Sequence, residues 1–451
     1  MYFSLLTDRL ETCPTQRLER LQWLIVSGTL CLILATWPLW WPSTHFPQVP
    51  WFSWGCAIPI IVDRALLVIM SSGLAAIFFA PVGGRGNLIG LLTFATSAMG
   101  LVLLNQQRTQ PWMYQLILMA LVLATAPSRL AFGLLRLLTV SIYFYSGISK
   151  LDVSFCHGLG QRFLETAFAI IRLEPSIIGV NKVIGGGAPV FGFWPLLFPI
   201  GEIVVALAFT CSKTRRIGLW AACAMHIALL LILGPFGLQH QNGVLIWNVF
   251  FIVLNFILFS RPRPVETGPT LGGPTTMESP QRPVQRRGAI FAAVLIGWAV
   301  IWPCLEPFGV CDLWPAWGLY AEHGEELLIL VNDSGTAKLP AWLPVRDAWR
   351  YSVTSGLEAC IRTKQKLLLP GRDSLDLLHA PVYPSNRFLL GYVLKIASEG
   401  GLEQDEISVE WKSPANRWTG HRTVQTLANL AEIEQAADKC WFNARPRDHS
   451  K

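Results

Sequence analysis

The stretch IYFYSGISKLD, residues 142–152, places a lysine directly after an apolar and aromatic segment of helical character. An amine held where hydrocarbon meets lipid headgroups is costly to keep charged, so it needs a charged partner, a route to the headgroups or a function. The stretch therefore predicts that a membrane-spanning helix ends near Ile148, and it singles out Lys150 as a candidate site residue.

The composition of the 451-residue chain indicates a membrane protein. Hydrophobic residues make up 52% of the sequence and charged residues only 14%, with 19 tryptophans. Soluble domains carry about 25% charged residues. A chain this apolar cannot hide its surface in one globular core, so we expect the lipid bilayer to act as partner and solvent for part of it.

Apolar runs long enough to cross a bilayer recur along the chain, given that a crossing helix needs roughly 17–25 residues. We predict an all-α polytopic bundle of about nine spans. They are residues 21–41, 58–80, 88–104, 111–126, 130–148, 191–211, 217–234, 244–259 and 289–305. The second is the least secure because Asp63 and Arg64 lie near its start, and the fourth and eighth are short.

Lysine and arginine in the predicted loops set the orientation, because short loops rich in these residues stay in the cytoplasm. The outer connections 42–57 and 235–243 carry none, and 106–110 carries only Arg108. We therefore predict a multi-pass protein of the inner cell membrane with a cytoplasmic N-terminus and an extracytoplasmic C-terminal region. The net charge of +7 follows from this asymmetry. No basic stripe indicates a nucleic-acid partner.

Tryptophans cluster around the first predicted outer loop. They are Trp37, Trp40, Trp41, Trp51 and Trp54. Tryptophan collects at membrane–water interfaces, so this loop is expected to carry part of an aromatic belt.

The chain divides into five segments. Residues 1–20 are predicted to be an inner N-terminal segment, 21–260 the main bundle, and 261–288 a flexible linker rich in Pro and Gly. The last span, 289–305, precedes a small extracytoplasmic α+β domain at 306–451.

The α+β domain has four predicted elements. Strands are expected at 327–331 and 407–411, and a helix at 387–396 that Gly400 and Gly401 stop. A second, amphipathic helix is predicted over 423–439. Its apolar face would hold Leu427, Leu430, Ile433 and Ala437.

Four cysteines fall in or beside this domain: Cys304, Cys311, Cys360 and Cys440. An oxidising compartment allows two disulfides among them, and the sequence does not determine their pairing. The chain has no C-x-x-C pair, and we predict no metal site.

Three polar residues lie inside predicted spans, where a central charge costs about 2.5–3.5 kcal/mol on translocon scales. They are Arg136, Glu202 and His226. A structural ion pair between Arg136 and Glu202 weighs slightly more than a direct chemical role. His226 is either a neutral imidazole bonded between helices or part of a buried polar site. Together the three favour a water-accessible cavity.

Lys150 has two interpretations. As a topology residue it extends to the outer headgroups, which most lysines at helix ends do, and physics alone favours this one. As a functional residue it is partly desolvated, and desolvation can turn a lysine into a base near neutral pH. Asp152, two residues on, can restore the charged form.

Residues 134–152, LLRLLTVSIYFYSGISKLD, followed by Gly158, resemble the central motif of the vitamin K-dependent γ-carboxylase and its bacterial HTTM-domain relatives. The family pattern is an aromatic-rich helix, a small residue and glycine, then lysine-leucine and a short step to glycine. Weaker similarities follow at the span with Glu202, the basic turn 213–216, the histidine span and the segment 312–320. The resemblance covers roughly residues 20–320.

The resemblance implies a function. In the carboxylase, the lysine of this motif is regarded as the base that deprotonates reduced vitamin K, so that role would fall on Lys150. His226 would help to position a quinol oxygen. The cofactor implied is a lipid quinol that arrives from the bilayer. The residues assigned to binding it are Arg136, Tyr143, Tyr145 and Glu202.

Departures from the family narrow this implication. Ser154 and Phe155 stand where the carboxylase has a tryptophan, and 306–451 does not match the region that binds its protein substrate. We therefore expect quinone-linked chemistry rather than γ-carboxylation. The alternative is a non-catalytic membrane scaffold that displays 306–451 to a protein partner, which the sequence does not identify. A small-solute transporter has least support, because no internal repeat is visible.

Overall fold

The computed structural model describes residues 14–42, 46–174, 191–260, 283–343 and 366–447, which are mostly helical. The helices before the last span are α1 (Pro14–Ala35), α2 (Trp37–Trp40), α3 (Ile61–Phe79), α4 (Arg85–Leu104), α5 (Pro111–Thr125), α6 (Ser128–Ile148), α7 (Val153–His157), α8 (Leu159–Ile171), α9 (Leu197–Thr210), α10 (Arg215–Leu233) and α11 (Asn242–Phe259). Those that follow are α12 (Pro283–Ile301), α13 (Asp333–Lys338), α14 (Pro370–Leu378), α15 (Asn386–Gly400) and α16 (Leu430–Asp438). The strands are β1 (Glu326–Val331), β2 (Lys366–Leu368), β3 (Ile407–Lys412) and β4 (Val424–Leu427).

Seven helices in the described part of the chain are long and apolar enough to cross a membrane. They correspond to α1, α3, α4, α6, α10, α11 and a segment from α12 to Phe308. The predicted multi-pass helical character is confirmed at this level. Two further apolar helices, Pro111–Thr125 and Trp194–Thr210, are shorter and occupy the fourth and sixth predicted spans.

The assignment of the short spans needs one correction. The eighth predicted span, expected to be short, is the 18-residue helix α11. The sixth is the shorter one, because its first turn is a 3₁₀ segment, Trp194–Leu196, that contains Pro195. The regular helix begins only at Leu197.

Helix α6 lies at the centre of the bundle. It is 78% buried, the largest share among the seven candidate spans, and it packs against α9 and α12. The approach to α9 is close because Gly147 has no side chain. A Cβ there would lie 2.7 Å from Ile203 Cγ1 and 2.8 Å from the Pro199 carbonyl oxygen. The glycine of the motif therefore brings the end of α6 against α9.

The C-terminal region contains one antiparallel sheet in the order β2-β1-β3-β4. Ile329 of β1 lies opposite Val409 of β3 and Leu368 of β2. The predicted strands at 327–331 and 407–411 are confirmed. The predicted helix at 387–396 is confirmed as α15, and Gly401 ends it in the left-handed conformation at a φ of 59°.

The predicted helix over 423–439 is wrong in its first half. Residues Val424–Leu427 form strand β4, which pairs with β3 and places Leu427 opposite Val409. Helix α16 starts only at Leu430, because the Asn429 side chain accepts a hydrogen bond from the Glu432 N–H and caps it. Ile433 and Ala437 are buried as predicted.

Other segment predictions have mixed outcomes. Most of the linker, 261–282, and Cys360 lie outside the described residues, and the helix of the last span begins at Pro283. Cys304, Cys311 and Cys440 carry free thiols, so none of the disulfides that the sequence allowed is formed by these three. Their sulfurs face different neighbours: Cys304 contacts the Tyr145 hydroxyl, whereas Cys440, which follows α16, donates to the Ala436 carbonyl of that helix.

The C-terminal region is packed onto the bundle. One hydrophobic cluster runs from Leu21 in α1 through the bundle to Ile329 in the sheet and Ala444 beyond α16. The backbone N–H of Arg447 donates to the Gln48 carbonyl of the first interhelical loop at 2.8 Å. The bundle and the C-terminal region therefore share a core.

Candidate functional site

A cavity of about 330 Å³ opens where the bundle meets the C-terminal region. Its walls are largely apolar and rich in aromatic rings, and six of its polar residues lie on helices of the bundle or directly after one. These six are Tyr143, Ser146, Lys150, Glu202, His226 and Asn248. Connecting segments add the polar residues Thr36, Gln110, His240, Gln241, Tyr320 and His379. The aromatic walls include Trp112, Phe163, Phe198, Trp247, Phe251 and Trp314. A few convergent polar groups in an apolar hollow are typical of a small-molecule site.

Lys150 is buried at this cavity and is only 3% exposed. Its Nζ lies 2.8 Å from Glu202 Oε2, donates to Ser146 Oγ at 2.7 Å and donates to the Leu319 carbonyl oxygen at 3.2 Å. The contact to Glu202 is an ion pair by distance, without the alignment of a hydrogen bond. The preferred sequence interpretation, a lysine extending to the headgroups, is therefore wrong.

The local sequence explains why Lys150 points inward. Ser146 lies four residues earlier, one helical turn away, so its hydroxyl meets the amine. Gly147 brings α9 close enough for Glu202 to reach the same amine. Ser146 and Glu202 thus place two oxygens beside the Lys150 amine, so the charged amine is stabilised without contact to lipid headgroups.

The sequence analysis favoured an ion pair between Arg136 and Glu202. In the structure, Glu202 pairs with Lys150 instead. Arg136 Nε donates to the Leu258 carbonyl oxygen at 2.7 Å, and Arg136 is not among the residues that line the cavity. Tyr145 also lies elsewhere, since its hydroxyl donates to the Val300 carbonyl oxygen in α12 at 2.7 Å. The structure thus brings Tyr143, Lys150, Glu202 and His226 together, and leaves Arg136 and Tyr145 outside.

A chain of hydrogen bonds surrounds His226. Asn248 Nδ2 donates to the Val244 carbonyl oxygen at 2.9 Å, so its Oδ1 faces His226 Nδ1 at 2.8 Å and accepts a hydrogen bond from it. His226 Nε2 then accepts from the Tyr143 hydroxyl at 2.6 Å. That hydroxyl in turn accepts from Asn255 Nδ2 at 2.6 Å. The pattern assigns a neutral His226 with its proton on Nδ1.

The segment after the last span supplies part of the cavity wall. Trp317 and Tyr320 adopt left-handed φ values of 59° and 58°, which L-residues rarely do and which cost of order 1 kcal/mol or more each. The Trp317 indole is fully buried and stacks on Tyr114 at 4.9 Å. This turn directs the Leu319 carbonyl to the Lys150 amine.

Sequence reasoning missed the contribution of the C-terminal region. The loop after α14 lines the cavity with His379, Pro381 and Val382, and the loop before α11 adds His240. Burial lowers the pKa of His240, so it is neutral at physiological pH. These contacts join positions more than 130 residues apart, for example Gln241 Nε2 and the Leu375 carbonyl. No local pattern signals such a contact.

A second polar cluster lies just beyond Lys150. His323 Nδ1 is 3.1 Å from Asp152 Oδ2, and His323 Nε2 is 2.7 Å from Glu306 Oε1. Arg417 Nη2 reaches Glu306 Oε2 at 2.6 Å. Burial opposes the charged imidazolium, but the hydrogen bonds to the two carboxylates outweigh it and raise the pKa of His323. Asp152 is thus engaged with His323 and with the N-terminus of α7, where Phe155 N–H donates to Oδ1.

The structure also explains why the motif has a glycine at position 158. A Cβ at this position would lie 2.0 Å from Glu322 Oε2, which accepts a hydrogen bond from the Leu159 N–H at 2.7 Å. Burial raises the pKa of Glu322 to about 7, against the opposing effect of that hydrogen bond. The step from lysine-leucine to glycine therefore makes room for a carboxyl group of the post-membrane segment.

A third cluster of charged side chains lies at the same end of the bundle, away from the cavity. Asp63 contacts Arg108 and lies 2.7 Å from Arg447 Nη1. The three side chains are 0%, 0% and 1% exposed. We call this set the Asp63 triad. It does not line the cavity, so its charges serve packing, and it explains how a span can begin with an aspartate.

Among the described residues, no group of three or more His, Cys, Asp or Glu side chains is arranged to hold a metal ion. The fold and the site thus define a class of protein. It is a helical bundle of multi-pass membrane character, with a cavity, a buried Lys150–Glu202 pair and a C-terminal region packed against the bundle. No family model, no curated protein and no solved structure matches the chain significantly. The resemblance to the carboxylase family therefore stays a hypothesis.

Proposed function

We propose that this protein binds a lipid quinol in the cavity and that the Lys150–Glu202 pair takes up its proton. One observation carries the proposal. A lysine and a carboxylate are buried together, 2.8 Å apart, at the wall of an aromatic cavity that begins within a helical bundle of membrane type. Polar residues placed inside a membrane bundle at such cost are usually functional.

The cavity suits an aromatic ring with oxygen substituents. Its volume of about 330 Å³ lies at the low end of the 300–1,000 Å³ common for ligand pockets. Phe251 and Trp247 offer ring faces for stacking, and the Lys150 amine and Ser146 hydroxyl offer hydrogen bonds to an oxygen. A quinol supplies an aromatic ring with two ionisable hydroxyls and a two-electron redox couple.

The geometry suggests a route for the proton. A small rotation of the amine would align Lys150 Nζ with Glu202 Oε2, which is 2.8 Å away, and would let a proton pass to the carboxylate. The neutral amine then accepts the proton of a ligand hydroxyl that replaces the Leu319 carbonyl, the most distant of its three partners at 3.2 Å. The net result is one proton transferred from the ligand to Glu202, with the Lys150 ammonium facing the negative ligand oxygen.

His226 and Tyr143 have a positioning role in this proposal. Because His226 Nδ1 donates to Asn248, its Nε2 accepts a hydrogen bond from the Tyr143 hydroxyl, and this bond fixes both rings at the cavity. Two predicted binding residues, Arg136 and Tyr145, take no part, since neither lines the cavity.

The proposed location follows from the distribution of basic loops. It puts the bundle in the inner cell membrane, the N-terminus in the cytoplasm, and the cavity and C-terminal region at the outer face. A fusion of a periplasm-dependent phosphatase to the C-terminus should be active, whereas the same fusion after Arg216 should be silent.

The binding test uses the purified chain in lipid nanodiscs with a short-chain naphthoquinone and its quinol. Quinone should quench tryptophan fluorescence, because Trp112, Trp247 and Trp314 line the cavity. Lys150→Ala should bind the quinol more weakly, and the rate at which dissolved oxygen oxidises the quinol should fall to the rate measured without protein. Lys338→Ala is the matched control, because Lys338 pairs with Glu403 and Glu406 in the C-terminal region. Unchanged binding and turnover in folded Lys150→Ala would refute the proposal.

The scaffold alternative has a weaker basis. A region displayed to a partner is expected to pack loosely on its anchor, whereas this one shares the hydrophobic core and contributes to the Asp63 triad. Capture of a specific partner by residues 306–451 in the absence of any ligand binding would favour the scaffold instead.

A further inference from the structure

Two tryptophans of the C-terminal region are almost fully exposed. Trp418 is 80% exposed and Trp441 is 94% exposed. Each belongs to a segment by which the C-terminal region contacts the end of the bundle. An indole left in water forgoes the burial of a large apolar surface, so both positions call for an apolar neighbour.

Trp418 lies at the tip of a tightly bonded turn. Asn416 Oδ1 accepts from the backbone N–H groups of Trp418 and Thr419 at 3.0 and 3.1 Å. The adjacent Arg417 donates from Nη1 to the carbonyl oxygen of Ile148, the last residue of α6, at 3.0 Å. The turn is therefore fixed at the level where a candidate span ends.

Trp441 lies in a segment that packs along the loop between α2 and α3. The Asn443 N–H donates to the Trp51 carbonyl oxygen at 3.1 Å. The Phe442 ring meets the Phe52 ring edge to face at 5.8 Å. This loop joins α2 to α3, so Trp441 is also held at the level where spans end.

The bundle exposes aromatic rings of its own at this level. Trp37, Trp41, Phe52 and Trp54 are 42%, 44%, 40% and 54% exposed. Phe52 and Trp54 stack at 6.1 Å, and Phe52 links them to the Trp441 segment. Of the tryptophans expected in the aromatic belt, Trp40 is fully buried and packs on Trp112 instead.

We propose that Trp418 and Trp441 insert into the headgroup–acyl boundary of the bilayer that holds the bundle. The C-terminal region would then be anchored to the membrane surface at two points. Tryptophan suits this boundary because its ring is apolar while its N–H still finds polar partners. A single lipid plane around the bundle would reach both residues, since the neighbouring Arg417 contacts the end of α6 and Asn443 contacts the loop before α3.

The experiment places the full-length protein in phosphatidylcholine vesicles that contain lipid brominated near the glycerol end of its acyl chains. Emission spectra are recorded for the wild type, Trp418→Phe and Trp441→Phe, and each variant is subtracted from the wild type. The difference emission should be blue-shifted, should lose most of its intensity with brominated lipid, and should resist aqueous iodide. Both residues are exposed, so neither change should impair folding.

Trp342→Phe is the matched control. Trp342 belongs to the same region, but its indole N–H points to Glu399 at 3.3 Å. Its difference emission should be insensitive to brominated lipid. Quenching of Trp418 and Trp441 by iodide but not by brominated lipid would overturn the proposal. So would shielding of both residues from both quenchers, which would indicate a protein partner or a second copy of the chain.

Discussion

The Asp63 triad and the Lys150–Glu202 pair are two buried charge clusters at one end of the same bundle, and their surroundings differ. In the triad, Arg108 also donates to the carbonyls of Leu39 and Trp40, and Arg447 donates to that of Ile58. Packed main chain surrounds those charges. Lys150 and Glu202 line a cavity instead. Burial of a charge therefore supports a functional proposal only where a cavity gives a ligand access to it.

Asp63→Asn should give the largest loss of stability. It leaves two buried guanidinium groups without a carboxylate, which costs about 3–5 kcal/mol in comparable buried pairs. The free energy of unfolding in detergent micelles measures the effect. Asp438→Asn is the control, because Asp438 pairs with Arg445 at the surface and its loss should be barely detectable. Equal losses in the two variants would mean that the triad is not a structural element.

Gly147→Ala should have the next largest effect and should disturb the cavity pair. The added methyl meets Ile203 and the Pro199 carbonyl, and such overpacking costs about 1–3 kcal/mol. Separation of α6 from α9 should also lengthen the contact between Lys150 and Glu202. Gly201→Ala, on α9, is the control, since no atom lies within 4 Å of its Cβ and alanine favours helix. A variant as stable as Gly201→Ala would contradict this packing.

Glu202→Gln should separate stability from ligand binding. Lys150 keeps Ser146 Oγ and the Leu319 carbonyl as acceptors and, unlike the guanidinium groups of the Asp63 triad, can lose its proton when the carboxylate is removed. The loss of stability should therefore be smaller than the loss in Asp63→Asn. Quinol oxidation should nevertheless be lost, because the proposed proton acceptor is gone. Parallel measurements of unfolding and turnover test this, and a variant that unfolds as readily as Asp63→Asn would place Glu202 with the structural charges.

A further expected effect is a pH dependence at Glu322. Its pKa in the folded protein is raised by burial from 4.5 to about 7, so the folded state binds the proton more tightly. The stabilisation from protonated Glu322 is complete below about pH 4.5 and is lost as the pH rises through about 7. Unfolding measured across this range should show a decline that Glu322→Gln flattens. The raised pKa of His323 acts in the same direction and should persist in that variant.

The sequence predicted the helical bundle and the part of the site that the bundle contributes. Apolar runs and the positions of Lys150, Glu202 and His226 are local features, and all three residues line the cavity. The pairing of Lys150 with Glu202 was not predictable, because it depends on how closely Gly147 lets two helices approach. Arg136 was expected beside Glu202 on the sole ground that both lie within spans.

The remaining errors share one physical cause. The sequence does not show which distant segments meet, so the C-terminal wall of the cavity was missed. The same applies to Leu427, whose helical spacing suggested a helix although pairing with Val409 makes a strand. Arg108 was counted as a loop charge, yet its carboxylate partner lies 45 residues earlier. Tertiary contacts decided each of these cases.

The Asp63 triad also has a consequence in time. Asp63 and Arg108 can meet soon after synthesis, but Arg447 follows Asp63 by 384 residues. During translation and membrane insertion, the third member of the triad is missing until the chain has emerged as far as Arg447. Contacts of such large sequence separation form late, because closing the loop is entropically costly. Completion of the triad would therefore report that both the bundle and the C-terminal region have been made and joined.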